Sequence, residues 1–325
     1  MSTSTLGEPE STRPGLRSTS PKVGFARLVP GDPLRGTPYH VGPRLSSGGM
    51  GELFLAHHER LGRTAVVKAL QPRHRHRPDF AERLRDEARI LASLGAPATP
   101  VVFDLGELAD GRPFFVMERL EGCDLRAELD RIGIFSVPSA VRLGLKMLSA
   151  LERVHESGIV HRDIKLENLF LTNDGGLRIL DFGVARREDD RLRRTGRGVA
   201  LGTPRTMAPE QHSSEDPDGR TDLYAAGLVL YEVLTGRGPF DEIAPENATA
   251  FAYAHRHRVP ARPSVAAPQP IPRALEEVIL CALEKKPFLR FGSAREMATA
   301  LEKTMIAGFD KDEEPTEVDP WAPAC

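Results

Sequence analysis

The chain has 325 residues, of which 40% are hydrophobic and 28% charged, a globular composition with room for about two domains. A formal net charge of -2 supplies no electrostatic argument for nucleic acid or an anionic membrane surface. No charged-then-apolar leader and no apolar run of ~20 residues points to secretion or a membrane span. Three dispersed cysteines, Cys123, Cys281 and Cys325, with no Cys-x-x-Cys pair, fit a reducing cytosol, so a soluble, cytoplasmic protein is expected.

Residues 1–36 are rich in Ser, Thr, Pro and Gly with few large apolar side chains, and read as a disordered tail. Next comes Leu45-Ser46-Ser47-Gly48-Gly49-Met50-Gly51-Glu52-Leu53. By itself it is a hairpin turn, but its glycines would also let backbone N–H groups approach phosphate oxygens. Ala65-Val66-Val67-Lys68 is a β-branched, apolar strand that ends on a lysine. The basic run from Arg73 to Arg77 reads as a solvated loop, and His74 and His76 lack the acidic or Cys partners of a metal site. Phe80, Leu84, Ala88, Leu91 and Leu94 recur at helical spacing, on a helix that also carries Asp86 and Glu87. Phe114 to Leu120 is a further strand, and Asp124 stands where it can cap a helix starting near Leu125.

The most informative stretch is His161-Arg162-Asp163-Ile164-Lys165-Leu166-Glu167-Asn168, followed by Asp181-Phe182-Gly183. A transferring phosphoryl group needs positioning and counter-charge more than covalent help. Asp163 can accept a hydroxyl proton and Lys165 can reach the transferred group. Asn168 and Asp181 offer the oxygen ligands that a hard cation selects. Downstream, Thr195 sits in an arginine-rich segment containing Arg186, Arg187, Arg191, Arg193, Arg194 and Arg197. Gly202 to Glu210 includes Thr203 and Ala208-Pro209-Glu210. Asp222 to Leu234 is apolar nearly all round, too short for a bilayer, and ends before Gly236, a fitting C-cap for a core helix. His255, Arg256 and His257 read as solvated, 261–272 as a Pro-rich loop, and 306–325 as an acidic tail.

Together these motifs resemble the eukaryotic-like protein kinases, and within them the bacterial serine/threonine kinases, from about Tyr39 to about Met305. The resemblance implies an α+β, bilobal fold over 37–305. Its β-rich N-lobe (about 37–119) has an antiparallel sheet with one key helix, and its C-lobe (about 120–305) is mainly helical. It implies ATP with Mg²⁺, or Mn²⁺ in its place, as cofactors. Leu45, Gly48, Gly49, Gly51, Leu53, Val66, Met117, Glu118, Leu120, Asp124 and Phe170 would line the nucleotide site, with Met117 as gatekeeper. Lys68, paired with Glu87, would hold the α- and β-phosphates. Asp163 and Lys165 would act on the reacting groups, and Asn168 and Asp181 would hold the metal. Arg162 and a phosphorylated Thr195 would order the activation loop. Thr203 would dock the substrate, a Glu210–Arg290 ion pair would brace that region, and Asp222 would support the catalytic loop. Departures are Ser46 for the first glycine, Leu53 for valine, Val66 for alanine and Thr206 for an aromatic. Expected partners are protein substrates and, for autophosphorylation in trans, a transient homodimer. Alternatives are a pseudokinase scaffold that binds nucleotide and partners without catalysis, and a small-molecule phosphotransferase, which Thr203, Glu210 and Arg290 argue against. Many bacterial relatives carry an anchor and an external sensor, and none is expected here.

Overall fold

The computed structural model describes residue 1 and residues 27–182, 186–187, 204–212 and 217–308, with side chains at 186–187 and beyond 305 excepted. Five strands open the fold: β1 (Tyr39–Ser47), β2 (Gly51–His58), β3 (Thr64–Leu70), β4 (Val102–Glu107) and β5 (Pro113–Glu118). They form one antiparallel sheet in the order β1-β2-β3-β5-β4. β3 is central, and its period-two alternation splits its side chains between two environments. Ala65, Val67 and Ala69 enter a core with Tyr39, Val41, Phe54, Phe114 and Val116. The alternate set, Val66, Lys68 and Leu70, therefore points to the opposite face, where Leu53 lies opposite Lys68 and Met117 opposite Val66.

Helix α1 (Pro78–Leu94) packs on that second face. Proline at its first position costs no hydrogen bond. Leu84, Glu87, Ala88 and Leu91 share its buried stripe, because residues three and four apart stack on one side of a helix. Asp86, one residue earlier, falls outside that stripe and pairs with Arg89 at 2.8 Å on the surface.

The rest is mostly helical. After β6 (Gly122–Asp124) come α2 (Leu125–Ile132) and α3 (Val137–Glu156). Short strands β7 (Ile159–Val160), β8 (Leu169–Thr172), β9 (Leu177–Ile179) and β10 (Arg186–Arg187) follow. β6, β8 and β9 form one small sheet, and β7 pairs with β10. Helices α4 (Gly219–Thr235), α5 (Ala248–His257), α6 (Pro263–Ala266), α7 (Arg273–Ala282) and α8 (Ala294–Gly308) complete the lobe. α4 is buried from Thr221 to Thr235 and ends on Gly236 in the left-handed conformation (φ 75°). One continuous apolar core runs from α1 through α3, α4 and α7 to α8. This is the expected bilobal α+β architecture. No helix of the described residues is long and apolar enough to cross a membrane.

Three details differ from the sequence expectations. Residues 27–36, assigned to the tail, lie against the sheet: Leu34 is buried and its N–H donates to Tyr39 O. The Pro-rich stretch at 261–272 holds the short helix α6. His255 is fully buried rather than solvated. Residues 2–26 and 309–325, most of both expected tails, lie outside the described residues, as do Gly183, Thr195 and Thr203.

Candidate functional site

The sheet, α1 and the turn after β9 bring three distant side chains together. Lys68 Nζ stands 2.6 Å from Glu87 Oε1 and 3.4 Å from Asp181 Oδ1. Burial acts to lower the Lys68 pKa, but the two carboxylates outweigh it and raise it, so the ammonium stays charged. Burial pushes Glu87 up to about 7 against the pull of Lys68. Asp181, by contrast, is half exposed (52%). Phe182 beside it is buried and packs edge-on against His161, with ring centroids 4.6 Å apart.

A second cluster forms in the loop after β7. Lys165 Nζ donates to Asp163 Oδ2 at 2.8 Å. The Asn168 amide nitrogen donates to Asp163 O (2.8 Å) and Oδ2 (3.1 Å). With that nitrogen committed, the carboxamide oxygen is the end available to a cation. Asn168 O accepts from Leu180 N–H at 2.8 Å, which ties this cluster to the residue before Asp181. Asn168 and Asp181 thus carry oxygens of the hard kind that a divalent cation could take.

The loop is held in a costly backbone shape. Arg162 (φ 69°) and Asp181 (φ 58°) both have positive φ, a conformation that costs a non-glycine residue about 1–3 kcal/mol and persists only where surroundings enforce it. Asp222, fully buried at the start of α4, does the enforcing at Arg162. It accepts from the N–H groups of His161 (2.9 Å) and Arg162 (2.8 Å) and from His155 Nε2 (2.8 Å). Burial would raise its pKa, but His155 and the backbone donors hold it below the usual carboxylate range. Gln211 Nε2 closes the loop from the other end, donating to Arg162 O at 2.8 Å.

The apolar residues predicted around a nucleotide divide. Val66 (buried), Met117 and Leu53 share the Lys68 face of the sheet. Phe170 lies opposite Asp124 in the β6–β8 pairing, and Leu120 follows β5. Leu45 sits at an irregularity in β1 and is 52% exposed. Glu118 N–H donates to Val101 O at 2.8 Å. Asp124 caps α2 by accepting from Ala127 N–H at 2.8 Å. Gly48, Gly49 and Met50 form the β1–β2 turn. Ser46 borders the irregularity in β1 but keeps a strand backbone without positive φ, so the missing glycine there causes no strain.

Farther along, Glu210 and Arg290 form a buried two-pronged pair, Nη1–Oε1 2.7 Å and Nη2–Oε2 2.8 Å. Two neighbours escaped sequence reasoning. Arg205 bridges Glu232 (2.7 Å) and Asp241 (2.7 Å), and Arg126 reaches the same Glu232 oxygen at 2.7 Å. His255 joins Tyr224 Oη (2.9 Å) to Arg205 O (2.9 Å), so α4 and α5 together hold the segment leading to Glu210. The one cue was Glu232, a charged residue inside the apolar stretch of α4 from Leu223 to Leu234.

Comparison with known proteins agrees with this geometry. The family model described as "Protein kinase domain" matches residues 39–303. A Corynebacterium efficiens protein named probable serine/threonine-protein kinase is 38% identical over 295 residues, covering 86% of this chain and 44% of its own. PknH, a serine/threonine-protein kinase of Mycobacterium tuberculosis, is 36% identical, with 82% of this chain and 42% of its own covered. The chain thus spans under half the length of these curated relatives. The crystal structure of the Mycobacterium tuberculosis PknI kinase domain superimposes with a TM-score of 0.62 at 27% identity, covering 86% of this chain and 99% of that one.

Proposed function

This chain belongs to the protein kinase family, of the bacterial serine/threonine type, and we propose that it transfers the γ-phosphoryl group of ATP to Ser/Thr hydroxyls of proteins. The observation that carries the reading is the convergence of Lys68, Glu87 and Asp181, separated by 19 and 113 residues along the chain, within hydrogen-bonding reach of one ammonium group.

In this reading Lys68, held by Glu87, orients the α- and β-phosphates. The sheet face of Leu53, Val66 and Met117, with Leu45 and Phe170, encloses the purine. The backbones of Glu118 and Leu120 meet its edge, and Asp124 caps α2 while facing the ribose. Gly48, Gly49 and Gly51 bring the turn close to the phosphates. Asp163 accepts the substrate hydroxyl proton, and Lys165, bonded to the same carboxylate, steadies the charge of the group in flight. Asn168 and Asp181 would hold a Mg²⁺ ion, which would supply counter-charge to the phosphates.

Lys165 together with Thr203 favours Ser/Thr over Tyr acceptors. Arg162 and Thr195 make a phosphorylation switch: phosphate on Thr195, added in trans within a transient homodimer, orders the segment by pairing with arginine. A reducing cytoplasmic setting fits the dispersed cysteines.

The test is phosphoryl transfer from labelled ATP with Mg²⁺ to a generic basic protein, comparing the wild type with Asp163→Asn. The variant is expected to fold and bind ATP but transfer nothing. Substantial residual transfer overturns the role of Asp163, and a silent wild type that binds ATP turns the reading to a pseudokinase scaffold. Thr195→Ala is expected to lower activity, whereas full activity with no phosphate on the loop rules the switch out.

A further inference from the structure

The β1–β2 turn is held from behind by residues that follow β3. Gln71 N–H donates to Met50 O at 3.0 Å, extending the strand pairing beyond Gly51 and Leu70. The Gln71 carboxamide, on a residue only 7% exposed, donates to Gly48 O and to Ser47 Oγ (3.0 Å). A short turn at Pro72–His74 then brings Arg73 Nη2 to 2.8 Å and His74 Nε2 to 3.0 Å from Gly49 O. The basic run expected to be a solvated loop is therefore anchored at its start.

Three successive carbonyls, those of Gly48, Gly49 and Met50, are thus occupied from the segment 71–74. In a trans peptide the N–H points opposite to the C=O of the same unit. Drawing these carbonyls one way turns the N–H groups of Gly49, Met50 and Gly51 the other way, as a row of donors of the kind that binds anions. The turn also lies close to Lys68: a Cβ on Gly51 would stand 3.4 Å from Lys68 Cγ and Cε. His74 stacks flat on Phe80 of α1, with centroids 4.3 Å apart and planes 4° apart, so the same segment links the turn to the helix that carries Glu87.

We propose that Gln71, Arg73 and His74 form a clasp that presets the glycine-containing turn for the triphosphate, and that they are positioning residues for ATP. A glycine-rich turn left to itself loses much conformational entropy when it closes on a ligand, and a turn fixed beforehand loses less. This rests on the ATP reading above, but its consequence is separate: the clasp acts on the phosphates and leaves the purine and ribose contacts alone.

The experiment is calorimetric binding of Mg-ATP and of adenosine to the wild type, Gln71→Ala, the double variant Arg73→Ala/His74→Ala, and Arg73→Lys. Weakening of ATP by about 3–10-fold in the alanine variants is expected, from hydrogen bonds of ordinary strength, with adenosine unchanged and partial recovery in Arg73→Lys. Because Arg73 is exposed and His74 only half-buried, the double variant keeps the test open should Gln71→Ala fold poorly. Unchanged ATP affinity in the double variant, or equal losses for ATP and adenosine, overturns the clasp. Binding is read without turnover, so a wild type that held Mg-ATP and transferred nothing would sink the kinase reading alone.

Discussion

Removing the Arg290 side chain is expected to destabilise the C-lobe strongly without touching the reacting groups. Arg290 is buried and makes five hydrogen bonds: two to Glu210 (2.7 and 2.8 Å) and one each to Glu284 O (2.7 Å), Arg220 O (3.0 Å) and Lys285 O (3.2 Å). Its guanidinium also lies 4.8 Å from the Tyr224 ring centroid. In Arg290→Ala, Glu210 would keep the Thr221 hydroxyl (2.7 Å) but lose its counter-charge. Breaking one side of a buried pair leaves an uncompensated charge, a loss of about 3–5 kcal/mol. For a domain of this size that lowers the melting temperature by about 6–20 °C.

Calorimetry or a circular-dichroism melt reads the change, and a double-mutant cycle with Glu210→Leu isolates the pair. The double variant Glu210→Leu/Arg290→Met should recover part of the loss, since no lone charge remains. Recovery stays incomplete because three backbone carbonyls still lack their donor. Acid dependence gives a second check. Burial would raise the Glu210 pKa, but Arg290 overrides it and holds the carboxyl below its usual value. A depressed carboxylate contributes stability above its unfolded pKa that fades as pH falls through the folded one. Arg290→Met should abolish this contribution. Melting within about 2 °C of the wild type in Arg290→Ala would refute the reasoning.

Two further outcomes can be checked. Burial drives His255 from 6.5 down to about 3, so its neutral form stabilises the fold fully above 6.5 and decreasingly as pH falls toward 3. The loss is about 2 kcal/mol at pH 5, and His255→Gln should flatten the stability–pH slope between those limits in denaturant titrations, an equal slope counting against it. Gly122 has φ +137°, and a Cβ there would fall 1.9 Å from the backbone oxygen of Leu171. Gly122→Ala should therefore cost at least about 3 kcal/mol by separating β6 from β8, and a normal melting curve would contradict it.

Much of the site was legible because its chemistry is written in short local strings. Asp163, Lys165 and Asn168 fall in one loop, so their order already implied a cluster. Glu87 was preferred to Asp86 by its register in the family motif, and the structure gives the physical reason, since only Glu87 shares the buried stripe of Leu84, Ala88 and Leu91. What was illegible involves partners far apart in the chain or backbone acceptors. His255 read as solvated because its neighbours in sequence are basic, yet its environment is built by Tyr224, Phe240 and Phe251. Arg73 and His74 read as a charge run because the group they converge on, the carbonyl of Gly49, has no residue-type signature. Leu34 was assigned to a tail by the polar composition around it, although it and Leu28 pack on the sheet core and backbone hydrogen bonds such as Gly31 N–H to Val41 O tie the segment down.

The amino-acid order alone determined which residue types could perform phosphoryl transfer and which face of α1 turns inward, while the two-lobe plan came from the resemblance that its motifs carry. Periodicity and motif spacing are local properties that survive without a fold. Only the tertiary structure decided that Lys68 meets both Glu87 and Asp181, that Asp222 holds Arg162 at positive φ, and that residues 71–74 grip the β1–β2 turn. Those facts depend on distances across the core, which packing sets and linear order leaves open.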